Sequence, residues 1–397
     1  MNILIIEKDP IVITAAKRTP IGSFQGALSG LKASRLGSIA LAAALSESAL
    51  QSVDEVFMGN VLSAGMGQNP ARQAALGAGL AHSVPCTTVS KVCGSGMKAL
   101  ILGHDSIAAG SNTQVAVGGM ESMSNAPYLL PKARGGLRLG HGEVKDHMFI
   151  DGLEDAYSGR LMGTYAEDTA EAYQFSRNDQ DAYAISSLQR ARNAQDSGAF
   201  SQELVNIDEA AGRSRATLDH DEQLDKANLA RIPLLRPVFR DGGTVTAANS
   251  SSISDGAAAL VLMRASEAEK IGVAPLAIIA GHASHAREPG QFTTAPIGAI
   301  RTLLENLNWK SSDVGLYEIN EAFAVVAMAA MRDLGLPGDI VNVNGGACAI
   351  GHPIGASGAR IAVTLLRAMI ACGARKGIAA VCIGGGEATA VGLELMH

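Results

Sequence analysis

The sequence predicts an α/β protein with helix-covered sheets, built as two similar halves around a polar insertion. Short apolar runs alternate with Ala- and Leu-rich helical segments at both ends of the chain. The order of these segments is similar near the start and near the end, which indicates an internal duplication. Residues 126–240 carry about twice as many charged side chains as the first 125 residues. This middle segment is therefore predicted to be a largely helical excursion from an apolar core.

In the first half, strands are predicted where short apolar runs end at polar or glycine residues. Helices are predicted where small and apolar residues recur at helical spacing. The predicted strands are 11–15, 55–58, 87–92 and 115–117, and the predicted helices are 34–45, 70–80 and 96–109.

The second half repeats this alternation, and the insertion adds helices of its own. Its predicted strands are 276–280, 316–319 and 378–383, its predicted helices are 296–307, 321–334 and 358–371, and residues 344–358 are predicted to form a Gly-rich loop. Within the insertion, helices are predicted at 165–174 and 178–198, with Asn178 as N-cap and Gly198 as the C-terminal stop.

Composition excludes several classes of protein. With 47% hydrophobic and 18% charged residues, the 397-residue chain has an ordinary globular balance, and its net charge of −6 comes with no dominant basic stripe. We therefore expect no nucleic-acid partner. The apolar runs at 1–6 and 322–331 are too short for a signal h-region or a membrane span, so we expect no membrane association and a cytoplasmic location.

Cysteine usage favours free thiols. The five cysteines are odd in number and form no C-x-x-C pair, which argues against a disulfide framework or a zinc ribbon. Free cysteines in such a chain are usually small buried hydrophobes, so the flanking sequence must identify any reactive one. The five are Cys86, Cys93, Cys348, Cys372 and Cys382.

Cys93 lies in the segment 89–97 (VSKVCGSGM), where a strand runs into a Gly-rich turn and then a helix. At a helix N-terminus, free N–H groups and the helix dipole stabilise an anion, so we expect a lowered thiol pKa. Gly94 and Gly96 allow close backbone approach to a ligand. The alternative is a buried cysteine in a tight turn, and the short motif by itself does not decide between the two.

His352 is the one strong base in a segment of almost wholly small residues, 342–358 (NVNGGACAIGHPIGASG). Small residues make room for a ligand, and an imidazole there can activate a thiol. A lone histidine is more often simply satisfied by the backbone of its loop.

Two further segments carry polar groups at the ends of predicted strands. In 380–387 (AVCIGGGE), Cys382 ends a strand and the N–H groups of the following glycines are suited to hold an oxyanion, although a core cysteine is the simpler interpretation. In 317–323 (YEINEAF), Asn320 has the position of a helix N-cap, and the functional alternative is that its amide orients a catalytic water.

Taken together and in order, these four segments resemble the signature blocks of the thiolase family. The resemblance covers essentially the whole chain and is closest to the acetyl-CoA C-acetyltransferases within that family. The block G-G-A-x-A-x-G-H-P-x-G-A-S-G is its most specific part. Further matching blocks are 16–20 (AKRTP), 118–124 (GGMESMS) and 248–258 (ANSSSISDGAA).

The resemblance implies a role for each candidate residue. Cys93 matches the acyl-carrying nucleophile, His352 the base that takes its proton, and Cys382 the acid/base at the substrate α-carbon. Asn320, with His352, matches one oxyanion hole that works partly through a water, and the N–H groups of Cys93 and Gly384 match the second. The residues implied to lie near the bound CoA thioester are Ser251, Met162, Phe323 and Leu235.

The resemblance also implies a duplicated five-layer αβαβα fold and a homo-oligomer, either a tetramer or a dimer. The first half is expected to span residues 1–125 and to continue through about 248–272. Residues 126–247 are expected to form a loop domain over the active site, and residues 273–397 the second half. The implied reaction is the reversible condensation of two acetyl-CoA molecules, with acyl-CoA thioesters as substrates and with no metal or other cofactor.

One departure from the family pattern bears on the substrate. Short-chain members often have His-Met-Gly in the loop domain, where this sequence has Leu161, Met162 and Gly163. An apolar Leu161 favours tolerance of longer or branched acyl chains, so a degradative 3-ketoacyl-CoA thiolase is the first alternative. A carrier-protein-dependent ketosynthase typically has His where Cys382 stands. A non-catalytic acyl-CoA- or lipid-binding relative would be expected to lose the nucleophile or the base.

The insertion also carries a group of basic side chains that are candidates for contact with CoA phosphates. A solvated charged face is the commoner explanation for such a group. Its members are Lys132, Arg134, Arg138 and Lys145.

Overall fold

The structure is a computed structural model that describes residues 9–208 and 217–396. The apolar run at 1–6 lies outside the described residues. The strands are β1 (Ile11–Arg18), β2 (Gly22–Ser23), β3 (Glu55–Gly59), β4 (Cys86–Val89), β5 (Gln114–Ser122), β6 (Tyr128–Leu129), β7 (Lys145–Asp146), β8 (Ser254–Arg264), β9 (Ala277–Ala286), β10 (Leu316–Ile319), β11 (Lys376–Ile383) and β12 (Glu387–Glu394). The α-helices are α1 (Ala33–Glu47), α2 (Pro70–Gly77), α3 (Ser95–Ala108), α4 (Met162–Ala172), α5 (Arg177–Asp196), α6 (Gln223–Lys226), α7 (Ala265–Ile271), α8 (Ala295–Leu307), α9 (Ala324–Leu334), α10 (Ala347–Ile350) and α11 (Ile354–Cys372).

Strand pairing shows the predicted duplication. In the first half β3 pairs parallel with β5, β5 antiparallel with β8, and β8 antiparallel with β1. In the second half β10 pairs parallel with β11, β11 antiparallel with β12, and β12 antiparallel with β9. The two sets meet where β1 pairs with β9 over two residue pairs, in the order β10-β11-β12-β9-β1-β8-β5-β3-β4. The sheets are mixed rather than wholly parallel.

The apolar clusters define five layers. One cluster lies between α1 and α2 and the outer face of the first half's strands. A second surrounds α3 and α11 and includes side chains from the strands of both halves. A third lies between the second half's strands and α8 and α9. The order helix, sheet, helix, sheet, helix follows, and it confirms the predicted five-layer fold.

Helix α11 occupies the central layer, is largely apolar and is buried on nearly all sides, including at Arg360. Among the described residues it is the one helix long and apolar enough to cross a membrane, yet 89% of that stretch is buried inside the protein. Burial on every face explains its composition, because a helix that packs on all sides needs no polar stripe.

Some predicted elements differ from the structure. The antiparallel strands β8 and β12 were not predicted, and the predicted loop 344–358 contains α10 and the first turns of α11. Helix α5 begins at Arg177, one residue earlier than the prediction, because Ser176 rather than Asn178 is its N-cap. The Ser176 hydroxyl accepts from the Asp179 N–H, and the Asp179 carboxylate accepts from the Ser176 N–H. The predicted domain boundaries stay predictions; between β5 and β8 the chain forms β6, β7 and α4 to α6.

A buried ion cluster fixes this middle segment to the core. Arg18, at the end of β1, is fully buried and binds both carboxylate oxygens of Asp221 at 2.7 and 2.9 Å. Its Nε donates to Glu203 at 2.6 Å, and its guanidinium lies 5.0 Å from the Phe200 ring centroid. Both carboxylates belong to the insertion, so one core arginine holds two of its segments.

We expect Asp221→Asn to destabilise the protein by about 3–5 kcal/mol, because it leaves a buried guanidinium without its bidentate partner. The midpoint of urea denaturation measures the loss. Asp219→Asn is the matched control, since Asp219 is largely exposed and pairs with the exposed His220. Equal midpoints for the two variants would contradict the proposed anchoring.

Candidate active site

Cys93 follows a strained turn between β4 and α3. Val92 has φ 46°, a left-handed conformation that a β-branched residue rarely adopts. The buried Ser95 holds this turn, because its hydroxyl accepts from the Lys91 N–H at 2.8 Å and donates to the Val92 carbonyl at 2.6 Å. Gly94 is the N-cap of α3, so Cys93 lies directly before the helix and is partly exposed. The turn fixes where the thiol points.

The N-terminal turns of α3 and α11 touch backbone to backbone. A Cβ on Gly96 would lie 2.8 Å from the Ala359 nitrogen, and one on Gly358 would lie 2.5 Å from the Met97 nitrogen. Only glycine permits so close an approach. His352 comes two residues before α11, so the contact brings the loop that carries His352 to the loop that carries Cys93.

The His352 ring is oriented through its Nδ1. The Ser357 hydroxyl donates to the Pro353 carbonyl at 3.0 Å, so it accepts the hydrogen bond from Nδ1–H. This assigns the neutral tautomer with a lone pair on Nε2, which is buried and has no partner among the described residues. Burial, and next the charge of Arg360, lower the pKa of His352 to about 3. The imidazole is therefore a neutral base at pH 7.

Cys382 lies near the end of β11, next to Cys93. It is fully buried, and burial raises the pKa of its thiol well above the usual value. A negative charge on Cys93 would raise the pKa of Cys382 further. The two segments are in contact, since a Cβ on Gly94 would lie 2.4 Å from Ile383 Cδ1. Gly384 follows on the same strand end, and a Cβ there would lie 3.5 Å from the Met162 sulfur.

The expected low thiol pKa of Cys93 is wrong. Burial raises the pKa of Cys93 to about 11, against the opposing effect of hydrogen bonds from the backbone of Gly384 and of Cys93 itself. Removal of water from the sulfur therefore outweighs the helix N-terminus. At pH 7 the site holds a neutral thiol beside a neutral imidazole.

Asn320 is not the helix N-cap that its position suggested. Phe323 caps α9 instead, while the Asn320 N–H donates to the Ala380 carbonyl of β11 at 2.9 Å. The side chain is 1% exposed, and both its amide oxygen and nitrogen lack partners among the described residues. A buried, unpaired amide is costly for folding, so its retention favours a functional role.

The predicted CoA-contacting residues lie in two places. Ser251 donates its N–H to the Ala322 carbonyl at 3.0 Å, which sets it beside the loop of Asn320. Phe323 packs edge-to-face on Phe239 and Phe292. Leu235 lines a separate cleft of about 310 Å³ whose walls include Ala248 and Cys348. The basic group of Lys132, Arg134, Arg138 and Lys145 is exposed, on and between β6 and β7.

Glu121 holds together several segments of the site, although no role was predicted for it from the sequence. Its buried carboxylate accepts from the N–H groups of Val61, Leu62 and Gly355 and from the Asn60 amide. Burial raises the pKa of Glu121 to about 7, although those backbone donors oppose the change. Since Gly355 lies in the first turn of α11, this carboxylate fixes the helix next to His352. The sequence feature that could have identified this residue is a glutamate inside an otherwise apolar strand.

Glu321 is a second carboxylate that holds segments of the site together. Its carboxylate accepts from the hydroxyls of Tyr183 and Ser187, both on α5, and from the Asn342 amide and the Cys348 N–H. Helix α5 of the insertion is thereby joined to the loops that carry Asn320 and His352.

Nearly the whole chain is similar to known proteins of one family. Residues 11–266 match the family model of the thiolase N-terminal domain, and residues 273–395 match that of the C-terminal domain. An acetyl-CoA acetyltransferase of Schizosaccharomyces pombe is 50% identical over 97% of this chain and 98% of its own length. Acetyl-CoA acetyltransferase 2 of Arabidopsis thaliana is 51% identical, covering 97% of both. The structure of Acat5 thiolase from Ascaris suum in complex with coenzyme A aligns with a TM-score of 0.93 at 40% identity, covering 98% of this chain and 100% of that one.

The raised pKa of Cys93 has a measurable consequence. We expect iodoacetamide to alkylate Cys93 about 10-fold faster for each unit of pH between 7 and 10, because only the thiolate reacts. Peptide mass spectrometry reports the rate at this one cysteine. A short cysteine peptide, with a pKa of about 8.5, is the control and should level off above about pH 9. A rate at Cys93 that stays flat from pH 6 to 9 would indicate a thiolate–imidazolium pair and contradict the neutral resting state.

Proposed function

This chain belongs to the thiolase family, and on that premise we propose that it is an acetyl-CoA C-acetyltransferase. It condenses two acetyl-CoA molecules to acetoacetyl-CoA and CoA, and it runs thiolysis in reverse. The proposal is supported by one observation: the loops that carry Cys93 and His352 lead into helices whose N-terminal turns touch backbone to backbone, and the end of β11, which carries Cys382, packs against the Cys93 turn. A thiol, a neutral imidazole and a second buried thiol are the groups that such a reaction needs.

In the first step Cys93 Sγ attacks the thioester carbonyl of acetyl-CoA, and His352 Nε2 takes the thiol proton. The CoA sulfur leaves with that proton, and acetyl stays on Cys93. The assigned tautomer supports this role, because Nε2 carries the lone pair. The two thioesters are of similar energy, so the exchange is readily reversible and favours a ping-pong course.

The first step places negative charge on the carbonyl oxygen. We assign its stabilisation to the backbone N–H groups of Cys93 and Gly384. Both groups hydrogen-bond toward the Cys93 sulfur, as their lowering of the thiol pKa indicates. Fixed backbone donors of this kind each contribute about 3–4 kcal/mol to acyl-transfer transition states.

In the second step the Cys382 thiol passes its proton to His352 Nε2, the resulting thiolate removes an α-proton from a second acetyl-CoA, and the enolate carbon attacks the acetyl group on Cys93. The Cys93–acyl bond breaks, acetoacetyl-CoA leaves, and Cys93 regains a proton. The enolate oxygen accepts a hydrogen bond from the protonated His352 Nε2 and, through a water, one from the unpaired amide of Asn320; His352 then returns its proton to Cys93. Acetylated Cys93 carries no charge, so the Cys382 thiol ionises more easily beside it than it would beside a Cys93 thiolate.

Coenzyme A is assigned to the side of the insertion. Ser251 and Phe323 lie beside the loop of Asn320, Met162 lies near Gly384, and the separate cleft lined by Leu235 is formed by residues of the insertion together with Ala248 and Cys348. The proposed steps use protein side chains and CoA thioesters alone, with no further cofactor. A reducing cytoplasmic compartment, which keeps five thiols free, is part of the proposal.

Separate assays of the two steps test these roles. Cys382→Ala should still accumulate an acetyl adduct on Cys93, seen by intact and peptide mass spectrometry, while condensation and thiolysis fall by at least about 1,000-fold. Cys93→Ala should lose both the adduct and turnover. Cys372→Ala, at an exposed cysteine at the end of α11, is the control and should keep full activity. Normal condensation by Cys382→Ala would overturn the role of Cys382.

A degradative 3-ketoacyl-CoA thiolase of broader chain length is a second candidate function, and Leu161 favours it. Leu161 caps α4 directly before Met162, whose sulfur lies near Gly384. An apolar, partly buried side chain at this position suits a longer acyl tail better than an imidazole does.

Relative thiolysis rates distinguish the two functions. We expect Leu161→His to lower kcat/KM for a six-carbon 3-ketoacyl-CoA by about 10-fold relative to acetoacetyl-CoA. Leu161→Met keeps the apolar character and should leave that ratio unchanged. A wild-type enzyme that rejects the six-carbon substrate would remove the second candidate.

We also propose that the chain forms a homo-oligomer through the β6–β7 hairpin, residues 128–146. Leu139 is 98% exposed, Tyr128 69% and Val144 64%, an unusual concentration of apolar side chains in water. Self-association would cover them.

Light scattering after size exclusion tests this proposal. The wild type should elute as a multiple of its 40.8 kDa chain, and Leu139→Lys with Val144→Lys should lower that multiple. Leu234→Lys, at a leucine outside the hairpin that is 79% exposed, should leave the mass unchanged. A monomeric wild type would refute the proposal.

A further inference from the structure

Two histidines and an aspartate meet on the surface, away from the active site. Asp105 Oδ1 lies 2.8 Å from His282 Nε2 and 3.2 Å from His104 Nδ1. One ligand atom from each of the three residues can be chosen so that all lie within 4.8 Å of one another. His104 and Asp105 belong to α3 in the first half, and His282 belongs to β9 in the second.

These separations are close to those around a tetrahedral metal ion. Two ligand atoms bound at about 2.1 Å to one zinc ion lie about 3.3 Å apart, and the centroids of two bound imidazoles lie about 5 Å apart. The His104 and His282 rings have centroids 5.2 Å apart and planes at 82°. The Asp105 oxygen is therefore already within a zinc ion's ligand separation of a nitrogen from each histidine, and all three chosen ligand atoms lie within 4.8 Å of one another.

The chemistry of the three groups also suits a metal. Asp105 offers a carboxylate oxygen, and His104 and His282 each offer an imidazole nitrogen. The side chains of His104, His282 and Asp105 are 18%, 25% and 49% exposed, so an ion and its waters have access. Two imidazoles and one carboxylate form a ligand set that prefers zinc and its neighbours to calcium or magnesium.

We propose that His104, Asp105 and His282 bind a divalent transition-metal ion of the zinc type, with water in the remaining position. The ion joins α3 of the first half to β9 of the second. Its role is structural, because His104 lies eleven residues along α3 from Cys93, a distance of about 16 Å. The site is independent of the proposed reaction.

Titration of the full-length, chelator-treated protein with cobalt(II), and then with zinc(II) in competition, tests the proposal. We expect one cobalt ion per chain, with visible d–d bands of the intensity typical of four- or five-coordinate sites. Thiolate-to-cobalt charge-transfer bands should be absent, which distinguishes this site from binding at Cys93 or Cys382. Zinc should displace the cobalt and raise the Tm by a few degrees.

Variants identify the ligands. His282→Asn and Asp105→Asn should each weaken binding by at least about 100-fold and abolish the zinc-dependent rise in Tm. His285→Asn is the matched control, because His285 lies on the same strand but packs against Gly298 of α8, on the opposite face. It should bind as the wild type does, and thiolysis without metal should be unchanged in His282→Asn.

Three outcomes would overturn the proposal: no cobalt bound by the wild type, binding that survives both ligand variants, or a spectrum dominated by thiolate bands. In the first case Asp105 serves only as a hydrogen-bond acceptor between two imidazoles. Circular dichroism of the variants confirms that loss of binding reflects loss of a ligand rather than of the fold.

Discussion

Helices α3 and α11 touch through their backbones at Gly96 and Gly358, and the active site depends on this contact. A side chain at either glycine would push the helices apart, because the nearest atoms are backbone nitrogens that have no freedom to move. The two loops that precede these helices carry Cys93 and His352. The separation between nucleophile and base is therefore set by helix packing rather than by the loops themselves, and the sheets on either side hold both helices in place.

The same close packing excludes water from the catalytic groups, and this exclusion determines their protonation states. Burial raises the pKa of the Cys93 and Cys382 thiols and lowers the pKa of the His352 imidazole. All three groups are therefore neutral at rest. Charge then appears only as the reaction proceeds, on a carbonyl or enolate oxygen. Donors that are already fixed, such as the Gly384 N–H, stabilise that charge more strongly in a dry site than they would in water. A low-pKa thiolate, which the sequence predicted, would stabilise the resting enzyme instead.

The sequence predicted the alternating elements and the candidate catalytic residues because local signals define both. Apolar runs end at glycines, and Cys93, His352 and Cys382 lie beside such breaks. It failed where long-range packing decides the structure. Strands β8 and β12 are buried runs of small residues without alternation, and the first turns of α11 contain glycines that serve helix contact rather than a loop. The metal-ligand set joins residues 177 positions apart, a separation at which no sequence pattern forms.

The two halves of the duplicated fold use the same pair of positions differently. In the first half the two side chains bind each other, and in the second half they do not. Asn60 and Asn320 occupy equivalent positions, because each directly follows a strand, β3 or β10, that pairs in parallel with a second strand, β5 or β11. Glu121 and Cys382 are also equivalent, because each lies two residues beyond the last residue pair of that parallel pairing. In the first half the Asn60 amide donates to the Glu121 carboxylate, and that carboxylate also holds the start of α11. In the second half the Asn320 amide has no partner among the described residues, and a thiol replaces the carboxylate. In the first half the amide nitrogen of Asn60 is thus paired, although its oxygen has no partner among the described residues, and the carboxylate positions His352. In the second half the whole Asn320 amide is available to a substrate.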